Sequence, residues 1–342
     1  QTPLNALGVI CTWLGYYDQS LRAYQASLNL YPGNATVMNN MVDDLLNLDR
    51  LDAAKAAARE LQAQHPDDHV IHGYLYILDF LQHDSAGMQR EVASDMGKAG
   101  WEDPILRNES SAEAYGGHLA KSLDFMRLAA DSAQRADKKE SAALYYAEGA
   151  VHEALMGNAA PAKQLVKDAL TLARDKNIDA TASLALALAG DPPKAAELSD
   201  QLSRHYPANT AMKFEILPEL RAAAILQHDP RKAIDILAVS MPYELAPSAL
   251  LYPAYFRGYA YVAMRQGPAA AQEFQKIIDH PGLVQMDPIG ALAHLGLGRA
   301  YVVAGDQAKA RAAYNDFLTI WNDADPNIPI LKEAKMERAR LR

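Results

Sequence analysis

In GRAYVVAGDQAKARAAYNDFLTIW, residues 298–321, the small and aromatic side chains keep a fixed rhythm. Gly298, Tyr301, Gly305, Ala310, Tyr314 and Phe317 advance by 3, 4, 5, 4 and 3 residues. Steps of 3 and 4 hold residues on one face of a helix. The longer step crosses Gly305-Asp306, where glycine reaches positive φ and aspartate caps the next helix. The stretch therefore predicts two antiparallel helices joined by a tight turn. Ala310, early in the second helix, lets it approach the first, and Tyr314 is expected to fill the space toward the neighbouring pair.

The rhythm recurs along the chain. Gly8, Cys11, Gly15, Ser20, Tyr24 and Ser27 repeat it, and Val42, Leu45, Asp49, Ala54, Ala58 and Leu61 do so 34 residues later. Ser183, Leu186, Gly190, Ala195, Ser199 and Leu202 give a third copy, and Ala150, Glu153, Gly157, Ala162, Val166 and Ala169 a looser one. The copy at 69–102 is the weakest. Pro32, Pro66 and Pro207 follow the second helices and cannot continue them, so each pair ends there. A single pair cannot bury its own apolar stripe, which makes stacking obligatory.

The pattern resembles the tetratricopeptide (TPR) repeat, whose period is about 34 residues. The resemblance implies an all-α, right-handed superhelical α-solenoid of about nine helix hairpins. Residues 1–325 are expected to form it, with a bend near 100–140, and 326–342 to add a capping helix. Lys332, Lys335, Arg338, Arg340 and Arg342 suit the solvated outer face and C-terminus of such a cap.

Composition limits the function classes. The 342 residues carry 33 Lys and Arg against 42 Asp and Glu, a formal charge of −9. That balance argues against nucleic acid, which needs clustered cations. The richest apolar stretch, SALLYPAYFRGYAYVAM at 248–264, is interrupted by Pro253 and Arg257, so no membrane span is expected within the chain. The single cysteine, Cys11, occupies a packing position and excludes internal disulfides.

Several stretches imitate chemistry. Gly296-x-Gly298 lacks the third glycine of a dinucleotide fingerprint, since Tyr301 stands there, and it sits in a helical pattern. His152-Glu153 lacks the second histidine of a zinc helix. His65, His69 and His72 with Asp67 and Asp68 form the one dense group of possible ligands. His65-Pro66-Asp67-Asp68 reads more simply as a turn between repeats, so neither metal nor cofactor is expected. No catalytic triad has local support, and enzyme activity is not expected.

By the TPR resemblance, the first helix of each pair lines a concave face that grips a peptide or protein. The second repeat would present Asn39, Asp43 and Asn47. The eighth would present Tyr252, Tyr255 and Tyr259, with Arg299 from the next repeat. Amides satisfy a bound backbone, and tyrosine offers area at low entropy cost. TPR clamps for a terminal carboxylate use Lys, Asn and Arg. Here Asn5 and Asn39 match in type, but Val9, Val70 and Tyr74 replace the rest, so that mode is not expected.

Residues 274–335, FQKIIDHPGLVQMDPIGALAHLGLGRAYVVAGDQAKARAAYNDFLTIWNDADPNIPILKEAK, look like the C-terminal part of bacterial, especially acidobacterial, proteins. In these a serine/threonine kinase or winged-helix domain precedes a TPR array, in some members across a membrane helix. The resemblance implies a sensor or scaffold part of a signalling protein, extracytoplasmic where that helix is present. Kinase motifs are missing from this chain, so such an activity would lie upstream. The alternatives are a small-ligand receptor or enzyme with a pocket at a bend, and a self-associating spacer.

Overall fold

The computed structural model describes residues 3–341, and every regular element among them is helical. The helices follow one another as antiparallel pairs: α1 (Pro3–Trp13) with α2 (Tyr17–Leu30), α3 (Ala35–Asn47) with α4 (Leu51–Gln64), and α5 (Val70–Leu81) with α6 (Ser85–Asp95). Next come α7 (Glu102–Tyr115) with α8 (Leu119–Arg135), α9 (Lys139–Leu155) with α10 (Ala159–Leu172), and α11 (Lys176–Leu188) with α12 (Pro192–His205). A π-turn at Met212–Ile216 leads into α13 (Leu217–Ile225), which pairs with α14 (Pro230–Leu237). After a 3₁₀ segment (Ala238–Tyr243), α15 (Tyr252–Ala263) pairs with α16 (Gly267–Ile278). The short α17 (Pro281–Val284), α18 (Ile289–Ala304) with α19 (Gln307–Ile320), and α20 (Pro329–Ala339) complete the chain.

The opening motif folds for the reasons its spacing gives. Gly305 ends α18 at φ 79°, and Asp306 accepts the Lys309 amide at 3.0 Å to start α19. Tyr314 lies against Gly298, where an added Cβ would stand 2.9 Å from the ring, and Tyr24 covers Gly8 in the same way. The aromatic therefore packs first on the glycine of its own pair. The Tyr314 hydroxyl reaches beyond its pair, donating to Glu337 Oε2 of α20 at 2.9 Å. The bare glycine lets the ring sink into its own pair as well.

The weak third copy is in register after all. Gly15, Asp49, His83 and Gly117 occupy the turn place at intervals of 34 residues, and all four have positive φ between 58° and 79°. His83 stands where glycine would have announced the turn. Farther along the period slips, and the 3₁₀ segment, the loop after it and α17 are inserted between pairs.

Those insertions bring the C-terminal pairs back onto the N-terminal ones. The Tyr17 hydroxyl donates to the Leu245 carbonyl at 2.5 Å, and the Gly282 amide donates to Asp49 Oδ1 at 2.6 Å. Trp321 Nε1 donates to the Tyr115 carbonyl at 2.8 Å, with the indole over Gly117. Asp325 accepts the Ala120 amide at 2.8 Å and donates its own to the Gly117 carbonyl at 3.0 Å. At the α9–α10 turn, Gly157 (φ 93°) meets Pro329, and the Ile330 amide reaches the Met156 carbonyl at 3.4 Å. The largest core joins Tyr17, Ala114 and Leu119 with Phe274, Trp321 and Leu331. This is a solenoid wound tightly enough to touch itself. Lys332 and Lys335 of α20 and Arg340 just after it are exposed, whereas Arg338 is half-buried and donates through Nε to Asn315 Oδ1 at 2.8 Å; Arg342 lies outside the described residues.

Candidate functional site

The residues expected on the binding face fall on α3, on α15 and at Arg299 of α18. On α3, Asn39 is half-buried and donates through Nδ2 to Asp68 Oδ2 at 2.8 Å, while its Oδ1 is buried without a hydrogen bond. Asp43 is half-buried one turn on and has no cation within salt-bridge distance among the described residues. Burial pushes its carboxyl up to about 6, and the neighbouring Asn47 holds it down only slightly. Asn47 itself is buried, and its Nδ2 contact toward Asp43 falls short of hydrogen-bond geometry.

Behind this stripe lies a second acid that sequence reading passed over. Asp44 is fully buried and accepts the Thr12 hydroxyl at 2.8 Å, in a network that also holds Ser20 and the Tyr24 hydroxyl. Its Oδ2 has no hydrogen bond, and burial pushes the carboxyl up to about 7 against the pull of Ser20 and Thr12. Tyr74 of α5 faces the same acids, so burial and then Asp43 and Asp44 raise its hydroxyl well above the ordinary tyrosine value. An acidic surround of this kind would repel a terminal carboxylate.

The C-terminal residues behave differently. Tyr252 and Tyr255 are buried. The Tyr252 hydroxyl donates to Asp287 at 3.1 Å, and Tyr255 packs edge-on against Tyr259 with ring centres 4.9 Å apart. Helix packing claims both rings, because glycines at 258 and 296 let Phe274 and its neighbours crowd inward. Tyr259 remains half-buried. Arg299 is bound to Glu337 at 2.9 and 3.1 Å and to Glu333 at 3.3 Å, so α20 already neutralises it. Of the three tyrosines, only Tyr259 is not fully buried.

Between these two groups the structure adds Arg107 and Glu148, a bidentate pair at 2.8 Å joining α7 to α9. Arg107 is 46% exposed and feels Asp287 across the interior as well as Glu148. Asp287 is pushed up to about 6 by burial, and Glu219 is raised by burial with Asp287 and Glu215 adding to it. His152, also buried here, is lowered to about 4 for the same reason. Two carboxylates, Glu148 and Asp287, thus act on the Arg107 guanidinium, and Glu219 with Glu215 lies next to Asp287. Arg107 was detectable, since it stands ten residues before Gly117 as Asn39 stands ten before Asp49. Asp287 lies in an inserted loop where no register points to it.

A cleft of about 520 Å³ opens where the solenoid meets itself. Tyr16, Arg22, Asn47, Asp49, Leu245 and His280 are among the residues that line it.

No known family profile and no curated protein matches the chain. Among solved structures it is similar to yeast Tom70, with 12% identity, 98% of this chain and 95% of that one covered, and a TM-score of 0.32. It is also similar to the TPR domain of P58(IPK), with 15% identity, 99% of each chain covered and a TM-score of 0.27.

Proposed function

We propose that this chain is a non-catalytic scaffold that binds a protein or peptide segment on the inner face of its first helices, and that the segment carries Lys or Arg. One observation carries the reading: Asp43 lies half-buried on that face without a cationic partner among the described residues. A buried carboxylate costs free energy that a partner's cation would recover. Tyr74 beside it supplies an aromatic surface for the partner's side chains.

The test is titration of two labelled peptides of equal length, one rich in Lys and Arg and one rich in Glu. The basic peptide should bind, and its affinity should fall as salt rises. Asp43→Asn should weaken it by about 10-fold or more, on the scale of a desolvated charge pair. Equal binding of both peptides, or an unchanged affinity in the variant, would refute the proposal. The likeness of residues 274–335 to regulatory arrays is the ground for reading the scaffold as part of a signalling protein, with any kinase upstream. The gene's upstream sequence checks that context.

The seam cleft supports a second reading, a small-ligand site. It offers apolar walls at Tyr16 and Leu245, the buried Asn47 amide, and both charge signs in Arg22 and Asp49. A ligand spanning the cleft would raise the stability of the closed solenoid; a thermal-shift screen of small molecules reads that directly.

A further inference from the structure

The third pair, α5 with α6, lacks the glycine-on-aromatic packing of the first and last pairs, and it holds another cluster instead. His69 and His72 sit at the start of α5, three residues apart, and Glu91 and Asp95 face them from α6. His69 Nδ1 lies 2.6 Å from Asp95 Oδ1, and His72 Nδ1 lies 2.7 Å from Glu91 Oε2. One ligand atom each from His69, His72 and Asp95 falls within 4.8 Å of the others. Both carboxylates are buried, each 3% exposed.

We infer that His69, His72 and Asp95 form a binding site for a borderline divalent metal ion of the zinc class, with Glu91 holding His72 in place. Two imidazoles and one carboxylate suit Zn²⁺ or Co²⁺ better than Mg²⁺ or Ca²⁺, which demand oxygen ligands. Ligands at about 2.0–2.2 Å from one ion stand roughly 3–3.5 Å apart, so from a spread of up to 4.8 Å the side chains need to close by about 1.5 Å. Glu91 is itself anchored by Arg59 at 3.2 Å, the buttressed carboxylate-to-histidine contact that orients metal-bound imidazole. Trp101 stacks on His69 with ring centres 4.9 Å apart and closes one side. The other residues of the sequence-level cluster turn away: His65 Nε2 meets the Gly33 carbonyl, and Asp68 holds Asn39. The bound ion would clip α5 to α6 in the pair whose repeat signature is weakest.

Calorimetric titration of the whole chain with ZnCl₂ should show one ion bound per chain, with Tm rising with the logarithm of free Zn²⁺. Co²⁺ should give visible ligand-field bands and quench Trp101, and Trp101→Phe should remove the quench while leaving the bands. His72→Gln and Asp95→Asn should abolish binding. Glu91→Gln should weaken it by about 10–100-fold, and His65→Gln should leave it unchanged. Absence of binding by the wild-type chain, or undiminished binding by a folded His72→Gln or Asp95→Asn protein, would overturn the assignment. Were both of those variants to misfold, the Co²⁺ bands and Trp101 quench of the wild-type chain would decide alone.

Discussion

The N-terminal and C-terminal thirds of this molecule use the same helix pair to opposite ends. From α1 to α7 the turn place returns every 34 residues, and the pairs meet chiefly their sequence neighbours. From the π-turn before α13 onward the period is broken by that turn, a 3₁₀ segment and a four-residue helix, and the loop after the 3₁₀ segment and α17 reach across the molecule. Regularity builds the stack; irregularity closes it. A nearest-neighbour solenoid loses stability locally when one pair is damaged. A closed one should transmit damage across its seam, and the two behaviours can be separated.

The largest expected effect is at Trp321. Its side chain is 1% exposed and bridges the α19–α20 link to the α7–α8 turn. Trp321→Ala should cost about 3–5 kcal/mol, the range for large-to-small core changes. Tyr314→Ala, equally buried but inside one pair, should cost about the same. Hydrogen exchange distinguishes them. Trp321→Ala should deprotect residues 115–120 as well as α19 and α20, whereas Tyr314→Ala should spare that turn. Identical patterns would mean that the seam is not an energetic unit.

Gly282 tests the second seam contact. A Cβ there would stand 1.9 Å from the Leu46 carbonyl oxygen and 2.9 Å from Asp49 Oδ1, so α17 must back away from α3. Gly282→Ala should cost about 1–3 kcal/mol, as overpacking does, and should enlarge the radius of gyration in solution scattering. Gly190→Ala provides the contrast within a regular turn. Nothing lies within 4 Å of its Cβ position, so only its φ of 69° opposes the change, at about 1–2 kcal/mol and with no expansion.

How much of this was legible follows from the same contrast. Spacing alone locates the α18–α19 pair, its turn at Gly305 and the cap at Asp306, because local geometry imposes each of them. It also places Asn39 and Asp43 on one face of α3. The burial of Tyr252 and Tyr255 was hidden, since periodicity gives the face of a helix but not what the rest of the chain lays over it. Asp287, Leu245 and Gly282 belong to insertions, whose position depends on contacts more than 200 residues distant, as for Gly282 with Asp49. Asp95 and Glu91 became partners of His69 and His72 only once α6 folded back, 19 to 26 residues away.

Asp49 refines the seam at smaller scale. It takes positive φ at the turn place where glycine is usual, and its side chain accepts the Gly282 amide. Asp49→Ala should cost about 1–3 kcal/mol, the penalty for leaving a buried donor without its charged acceptor. Equilibrium urea unfolding measures it. A loss below the error of that method would show that water replaces the carboxylate freely.

The smallest effect is a pH slope, and it separates the two regions by its window. Asp44 in the N-terminal network is raised to about 7, and Asp287 in the C-terminal interior to about 6. Both lie above the ordinary aspartate value of about 3.9, so the native state holds protons that the unfolded chain has lost. Stability contributed by these groups is therefore greatest below about pH 4 and declines as pH rises, up to about 6 for Asp287 and about 7 for Asp44. His152 opposes them at the acid end: its lowered value of about 4 makes stability rise with pH between there and its ordinary value of about 6.5. Above about 6.5 His152 and Asp287 approach the end of their titration, while Asp44 still loses its proton, as does Glu219, which burial raises well above the ordinary value. Urea midpoints of the wild-type chain should fall from pH 6.5 to 7.5, and Asp44→Asn should flatten that fall while leaving the more acid part of the curve in place. An unchanged slope in Asp44→Asn would mean that the Thr12–Ser20–Tyr24 network solvates the charge well enough to keep Asp44 ionised at neutral pH.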